Sequence, residues 1–270
     1  IDWLRKEGLA AAAKKSGRIA AEGAVVVAVS GGKGVVVEVN SETDFVARND
    51  KFQQLAQNVA KVALENTSEF DALKAADYPN TGRTVEAEVA ELVGVIGENI
   101  QLRRASEITG DVVVSYIHNA VAPNLGKIGV LVALETEGDK EKAQSIGKQV
   151  AMHIAATKPE ALNREQLDPA LVERERNVLI EQARASGKPD NIIEKMIDGR
   201  INKYYAEVVL LEQAFVIDGK TPVKDALKEA EKEIGAAVNI TGYICFTLCE
   251  GIDKKDEDFA SEVAAVASGN

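Results

Sequence analysis

The amino-acid sequence predicts an α+β protein of two related halves, each a strand hairpin followed by a helix, with an inserted antiparallel helical hairpin and a C-terminal helix. Three observations carry that prediction. Residues 34–60 realign on residues 129–155 without a gap, so the chain contains an internal duplication. Across residues 167–213 a narrow apolar stripe runs through a charged segment, the pattern of two helices that seal against each other. The 270 residues are 46% hydrophobic and 28% charged, an ordinary globular composition with chain enough for one large or two modest cores.

The first half is expected over residues 16–95. Val25-Val26-Val27 after Gly23 reads as one strand and Gly34-Val35-Val36-Val37-Glu38-Val39 as its partner, joined at Gly31-Gly32, where glycine admits the positive φ that two-residue hairpin turns need. A helix follows, with Asp50 and Gln53 as a capping-box variant and Phe52, Leu55, Ala56, Val59 and Ala63 as its buried stripe. Pro79 and Asn80-Thr81-Gly82 break a looser stretch, and a second helix is expected from about Val85 to Val95.

The second half is expected over residues 96–166 and 214–251. Val112-Val113-Val114 after Gly110 repeats the first strand, and Gly129-Val130-Leu131-Val132-Ala133-Leu134 repeats the second, across a longer connection from His118 to Lys127 with Pro123 and Gly126. Leu55, Ala56 and Val59 fall on Val150, Ala151 and Ile154, so the helical faces match as well. Within the insertion, Ser186-Gly187-Lys188-Pro189 breaks the helix. Ile193, Ile197, Ile201, Tyr204, Val208 and Leu211 then recur at helical spacing. Such an arm projects from the body; the alternative is that it packs back on it. After Phe215-Val216-Ile217 come a helix from Val223 to Ile234 and a strand from Tyr243 to Cys249 that completes the second sheet. Residues 252–270 read as a short amphipathic helix carrying Phe259, Val263 and Val266.

Composition excludes several functions. With 43 acidic against 32 basic side chains the net charge is −11, and no block of Lys or Arg offers the clustered charge that phosphate backbones require. No run approaches the roughly 18 apolar residues of a membrane span, and no secretion signal opens the chain, which points to a cytoplasmic or comparable reducing compartment. Cys245 and Cys249, four apart on a strand, would stand about 13 Å from each other, too far for a disulfide or a shared zinc ion. Gly31-Gly32-Lys33-Gly34 joins two strands and opens no helix, so it is no phosphate loop. With His118 and His153 the only histidines, and no nucleophile placed beside a base, neither enzymatic chemistry nor a metal or cofactor is expected.

The duplication also points to a site. Thr43-Asp44-Phe45-Val46 aligns with Gly138-Asp139-Lys140-Glu141, and a slot that accepts Lys140 in one half faces solvent, so Phe45 is expected to be an exposed anchor for a protein partner. The alternative is that Phe45 packs between the halves. Asp44 and Asp139 suggest a shared capping role, with a partner's cation or phosphate site as the alternative for Asp44. His153, aligned with Asn58, borders an apolar face and reads as structural, whereas His118 ends a strand in a place suited to recognition.

Glu38-Val39-Asn40-Ser41-Glu42-Thr43-Asp44-Phe45-Val46-Ala47 resembles the signature of the translation elongation factor Ts family. Lys14-Lys15 to Ala21, Ile96-Gly97-Glu98-Asn99-Ile100 with Arg103-Arg104, Ala151-Met152-His153-Ile154-Ala155-Ala156-Thr157-Lys158-Pro159 and Ser186-Gly187-Lys188-Pro189 match as well, in the family's order. The resemblance implies a nucleotide exchange factor that binds elongation factor Tu, in its GDP and nucleotide-free forms, without touching nucleic acid or membrane. It implies that Asp44 and Phe45, with Thr43 and Val46 in the same motif, press on the partner's G domain near its magnesium and phosphate loop, supported by Ile96 and Gly97. His118 and Phe215-Val216-Ile217 would face the partner's third domain, and the C-terminal helix with Phe259 would hold the G domain. By the same resemblance residues 1–15 are the end of a small N-terminal helical domain and its linker, and the location is the bacterial cytoplasm or an organelle. Against it stands a non-exchanging module that docks or forms a homodimer through the helical hairpin.

Overall fold

A computed structural model of the chain describes residues 10, 12–184 and 190–252. Two antiparallel sheets stack face to face. The first has the order β3 (Ile100–Thr109), β2 (Lys33–Ser41), β1 (Glu22–Ser30), β5 (Leu125–Gly126), and the second the order β4 (Val112–His118), β6 (Ile128–Glu135), β7 (Asn239–Thr247). On the outer face of the first lie α1 (Asp50–Glu65), α2 (Phe70–Ala75) and α3 (Val85–Ile96). On the outer face of the second lie α4 (Lys140–Thr157) and α7 (Val223–Ile234). Because each inner sheet has a helix on one side and a sheet on the other, β2 is buried continuously from Gly34 to Ser41, and its sequence is a valine run rather than an alternating pattern.

Alternation reappears in what each valine touches. Val26, Val35 and Val37 pack under Phe52, Leu55 and Val59 of α1, while Val25, Val27 and Val36 meet Leu131 of the other sheet. Twin glycines let the sheets approach closely. A Cβ on Gly34 would lie 3.2 Å from Leu131, and one on Gly129 would lie 3.3 Å from Val36. These two contacts are equivalent under the duplication, so the halves meet about a pseudo-two-fold axis, with the same patch used on both sides.

The structure departs from the sequence reading in several places. Residues from 96 onward, expected in the second half, include β3, which pairs with β2 along its whole length and so extends the first sheet. Arg103, Arg104 and Glu107 had hidden an edge strand, where charge is tolerated because one side of the ladder stays open. The connection from His118 to Lys127 is no simple loop, since β5 pairs with β1 and Leu125 is fully buried in the first core. Asn49, not Asp50 with Gln53, caps α1: its Oδ1 accepts from the backbone N–H groups of Lys51 and Phe52, while Gln53 Nε2 donates to the Ala47 carbonyl. Strand β7 ends at Thr247, leaving Cys249 on a turn with φ +60°, and neither cysteine forms a disulfide. The stretch after Thr67 contains the short helix α2.

The insertion forms two helices, α5 (Pro169–Arg184) and α6 (Asp190–Val208). Leu179, Ala183, Ile193, Ile197 and Ile201 make an apolar cluster of their own, separate from the cores of both halves, and Ala161, Leu167 and Val209 form another at the base of the arm. The breaker Ser186-Gly187-Lys188-Pro189, the C-terminal helix with Phe259 and residues 1–9 lie outside the described residues.

Candidate functional site

The turn that follows β2 is stitched to the turn that follows α3. Thr43 donates from its hydroxyl to one carboxylate oxygen of Glu98 at 2.7 Å and from its backbone N–H to the other at 3.0 Å. The backbone N–H of Asn99 donates to Glu42 Oε1 at 2.6 Å, and the buried Asn99 side chain donates to the Arg18 carbonyl at 2.7 Å. Gly97 closes α3 with φ +91°, the left-handed geometry that a C-terminal cap needs and glycine adopts without strain. From below, Val46 and Ala47 plug the turn into the first core.

What this frame presents is apolar. Phe45 is 79% exposed and Val95 53% exposed, with Ile96 half-buried and Gly97 exposed between the two turns. The exposure expected from Lys140 therefore holds for Phe45, and packing between the halves is excluded. Val46, counted among the contact residues by its motif, is only 4% exposed and acts as the anchor of the turn. Asp44 is exposed, and its carboxylate makes no hydrogen bond or ion pair among the described residues. Its twin Asp139 does cap α4, accepting from the N–H groups of Glu141 and Lys142 at 3.0 and 3.2 Å. The shared capping role fails because residues Val46–Arg48 of the first half make a 3-10 turn where the second half is already α-helical, and Asn49 takes over the cap.

A second apolar group lies on the other half. Val216 and Ile217 are 46% and 54% exposed, whereas Phe215 beside them is buried, its ring tilted against that of His153 at 5.7 Å between ring centres. Phe215 is thus an anchor, like Val46. His153 is fully buried on α4, and its Nδ1 accepts from the Val216 backbone N–H at 3.2 Å. That leaves the proton on Nε2, which faces Gln213 Oε1 at 2.9 Å, an oxygen that also accepts from the Thr157 hydroxyl. Burial pushes the His153 pKa below its ordinary value, with Gln213 partly opposing. The structural reading of this histidine holds, and it also holds the loop. His118 is exposed at the end of β4, with Tyr116 Oη 3.2 Å from its Nδ1. Phe259 lies outside the described residues.

Among the described residues no group of three His, Cys, Asp or Glu side chains is placed to hold a metal ion, and no helix is long and apolar enough to cross a membrane. Glu42, Glu98 and Asn99 stand in the two stretches that the resemblance marks, but the stitch they make between those stretches was not singled out in the sequence.

A model of the elongation factor Ts family matches residues 42–250. Elongation factor Ts of Parvibaculum lavamentivorans is 55% identical over the whole chain, which spans 88% of that relative. The protein of the same description from Agrobacterium fabrum is 56% identical over the same shares, and that of Rhodospirillum centenum 54% identical over 99% of the chain and 88% of the relative. With a family match over most of its length and relatives this similar from end to end, the chain belongs to the elongation factor Ts family.

Proposed function

We propose that this protein is a guanine nucleotide exchange factor of translation elongation, which binds elongation factor Tu carrying GDP and promotes loss of the nucleotide so that GTP can enter. One observation carries the reading: an exposed Phe45 and an Asp44 whose carboxylate has no hydrogen-bond or ion-pair partner among the described residues share a turn that Glu98 clamps. Burying the Phe45 ring in a partner is worth roughly 1.5–3 kcal/mol, enough to anchor an interface. It brings the Asp44 carboxylate against the partner's magnesium and phosphate region, where added negative charge and a displaced ion weaken the β-phosphate contacts of GDP. Ile96 and Gly97 back that contact, and His118 with Val216 and Ile217 makes a second one on another domain of the partner. Exchange is then a coupling between two ligands, and GDP must weaken this protein's binding by the same factor. No bond is made or broken, so the protein is not an enzyme in the strict sense.

Release of a fluorescent GDP analogue from elongation factor Tu tests this. The unmodified protein is expected to accelerate release and Phe45→Ala to lose most of that acceleration; no acceleration by the unmodified protein overturns the reading. A second reading, a docking or dimerising arm, is favoured by Val178 and Ile192, each 45% exposed on the helical hairpin. Deleting residues 167–213 separates the two, since only the second loses its function outright.

A further inference from the structure

Glu38 of β2 has no exposed surface, yet it carries a carboxylate into the junction between the halves. Its Oε1 accepts from Arg103 Nη1 at 2.9 Å, Asn40 Nδ2 at 3.0 Å and the backbone N–H of Cys249 at 2.8 Å, and its Oε2 accepts from Arg104 Nε at 2.6 Å. The arginines carry the link onward. Arg104 Nη2 donates to the Thr247 carbonyl at 2.9 Å, its guanidinium lies 4.1 Å from the Phe246 ring centre, and Arg103 Nη2 donates to the Glu250 carbonyl. Glu38, Arg103 and Arg104 belong to the first sheet, whereas Phe246, Thr247, Cys249 and Glu250 belong to the end of β7 and its following turn.

A bulge makes this possible. Neighbouring residues of a regular strand point to opposite faces, so Arg103 and Arg104 could not both reach one carboxylate. The register shifts between the pairs Glu38–Arg104 and Val39–Leu102, which leaves Arg103 as the extra residue and turns both guanidinium groups to one side. The second half has the same irregularity at the equivalent place, between Ala133 and Leu134, with Thr241 as the extra residue. There Ala133, Thr241 and Gly242 stand where Glu38, Arg103 and Arg104 stand in the first half. Sheet and bulge therefore form without the charges, and the charges serve something that the first half alone does.

Elsewhere the sheets meet through Val25, Val27, Val36 and Leu131. Such contact is non-directional: it holds the sheets together but sets their offset weakly. Buried charged hydrogen bonds are directional, and fixing register is their best-attested use. We propose that Glu38 is a positioning residue that fixes the spacing of the two halves, so that the Phe45 turn and the Val216–Ile217 loop meet one partner surface together. This deepens the exchange-factor reading and rests on it. Two contacts on a rigid frame bind as one; with play between them the second engages at a lower effective concentration, and affinity falls though no contact residue has changed.

The decisive variant transplants the second half's own residues: Glu38→Ala with Arg103→Thr and Arg104→Gly. Glu38→Gln, which keeps shape and removes charge, is the second variant should the triple change fail to fold. Nitroxide labels at Lys61→Cys and Lys148→Cys, both exposed sites, report the spacing of the halves in a background of Cys245→Ser and Cys249→Ser, where the backbone N–H of residue 249 is retained. Expected are native circular dichroism, a broadened or displaced distance distribution, and affinity for elongation factor Tu·GDP reduced about tenfold or more. A folded variant with an unchanged distribution overturns the proposal, and so does a changed distribution with unchanged affinity. Phe45→Ala is measured alongside. If it binds as tightly as the unmodified protein, the assignment of the Phe45 contact fails and the distance distribution alone then decides whether Glu38 sets the spacing; the exchange-factor reading itself falls only if the unmodified protein does not accelerate GDP release.

Discussion

The two oxygens of Glu98 hold Thr43 twice, once by its hydroxyl at 2.7 Å and once by its backbone N–H at 3.0 Å. One carboxylate on the turn after α3 thereby fixes the turn that carries Phe45. Replacing it leaves two donors of Thr43 without their charged acceptor. Glu98→Ala is expected to cost about 1–2 kcal/mol of stability, the low end for charged hydrogen bonds because the site is partly hydrated. It should also weaken partner binding severalfold although Phe45 is intact. Denaturant unfolding and nucleotide release measure the two effects; full exchange activity in Glu98→Ala would show that the turn needs no clamp.

Neighbouring residues on that turn should fail in opposite ways. Phe45→Ala removes a side chain that is 79% exposed, so stability should stay within about 0.5 kcal/mol while binding to elongation factor Tu falls at least tenfold. Val46→Ala empties part of the first core and should cost about 1–2 kcal/mol, with affinity reduced far less. Thermal unfolding and titration of both variants distinguish anchor from contact; equal effects on affinity would remove that distinction.

The duplication was legible because its offset is constant, and it carried both the fold class and the exposure of Phe45, read from Lys140 at the twin position. What stayed hidden was whatever depends on partners remote in the chain. Leu125 looks like a loop residue until β1 is beside it. Arg103 and Arg104 look like surface charge until Glu38 faces them, and the Cys249 N–H that completes that site lies 211 residues beyond Glu38. The burial of Val46 and Phe215 was hidden for a related reason: a motif marks a stretch of chain, whereas the pleat and the turn decide which side chains point outward.

His153 predicts a stability step in mild acid. Burial holds its pKa in the folded protein below the value of about 6.5 that it takes when unfolded. Between those two values the unfolded chain binds the proton and the folded one does not. The contribution is thus complete above about pH 6.5 and declines as pH falls towards the folded value, by at most about 1.4 kcal/mol per pH unit. Protonating Nδ1 also removes the acceptor of the Val216 N–H. His153→Asn keeps an acceptor near that place without the titration, so its unfolding free energy should lack the step. Glu38, whose pKa stays below its ordinary value although burial pushes it up, because Cys249 N–H, Arg104, Arg103 and Asn40 hydrogen-bond it, loses its contribution only below about pH 4.5. Unfolding followed from pH 7.5 to 5 therefore leaves Glu38 out of the step, and an identical slope in His153→Asn would assign it elsewhere.

The helical hairpin should unfold apart from the body. Its cluster of Leu179, Ala183, Ile193, Ile197 and Ile201 shares no member with the cores of the two halves, so packing lost there has no route to them except the base at Ala161, Leu167 and Val209. Ile197→Ala, in the middle of the stripe, should cost about 2–4 kcal/mol, charged to the arm alone. Hydrogen exchange should then quicken in α5 and α6 while amides of β2 and β6 keep their protection. The same variant weighs the two functional readings. If exchange runs through the Phe45 turn, a loosened arm leaves GDP release near normal; if the arm is the working surface, release falls with the arm's protection, and the exposed Val178 and Ile192 become the residues to alter next.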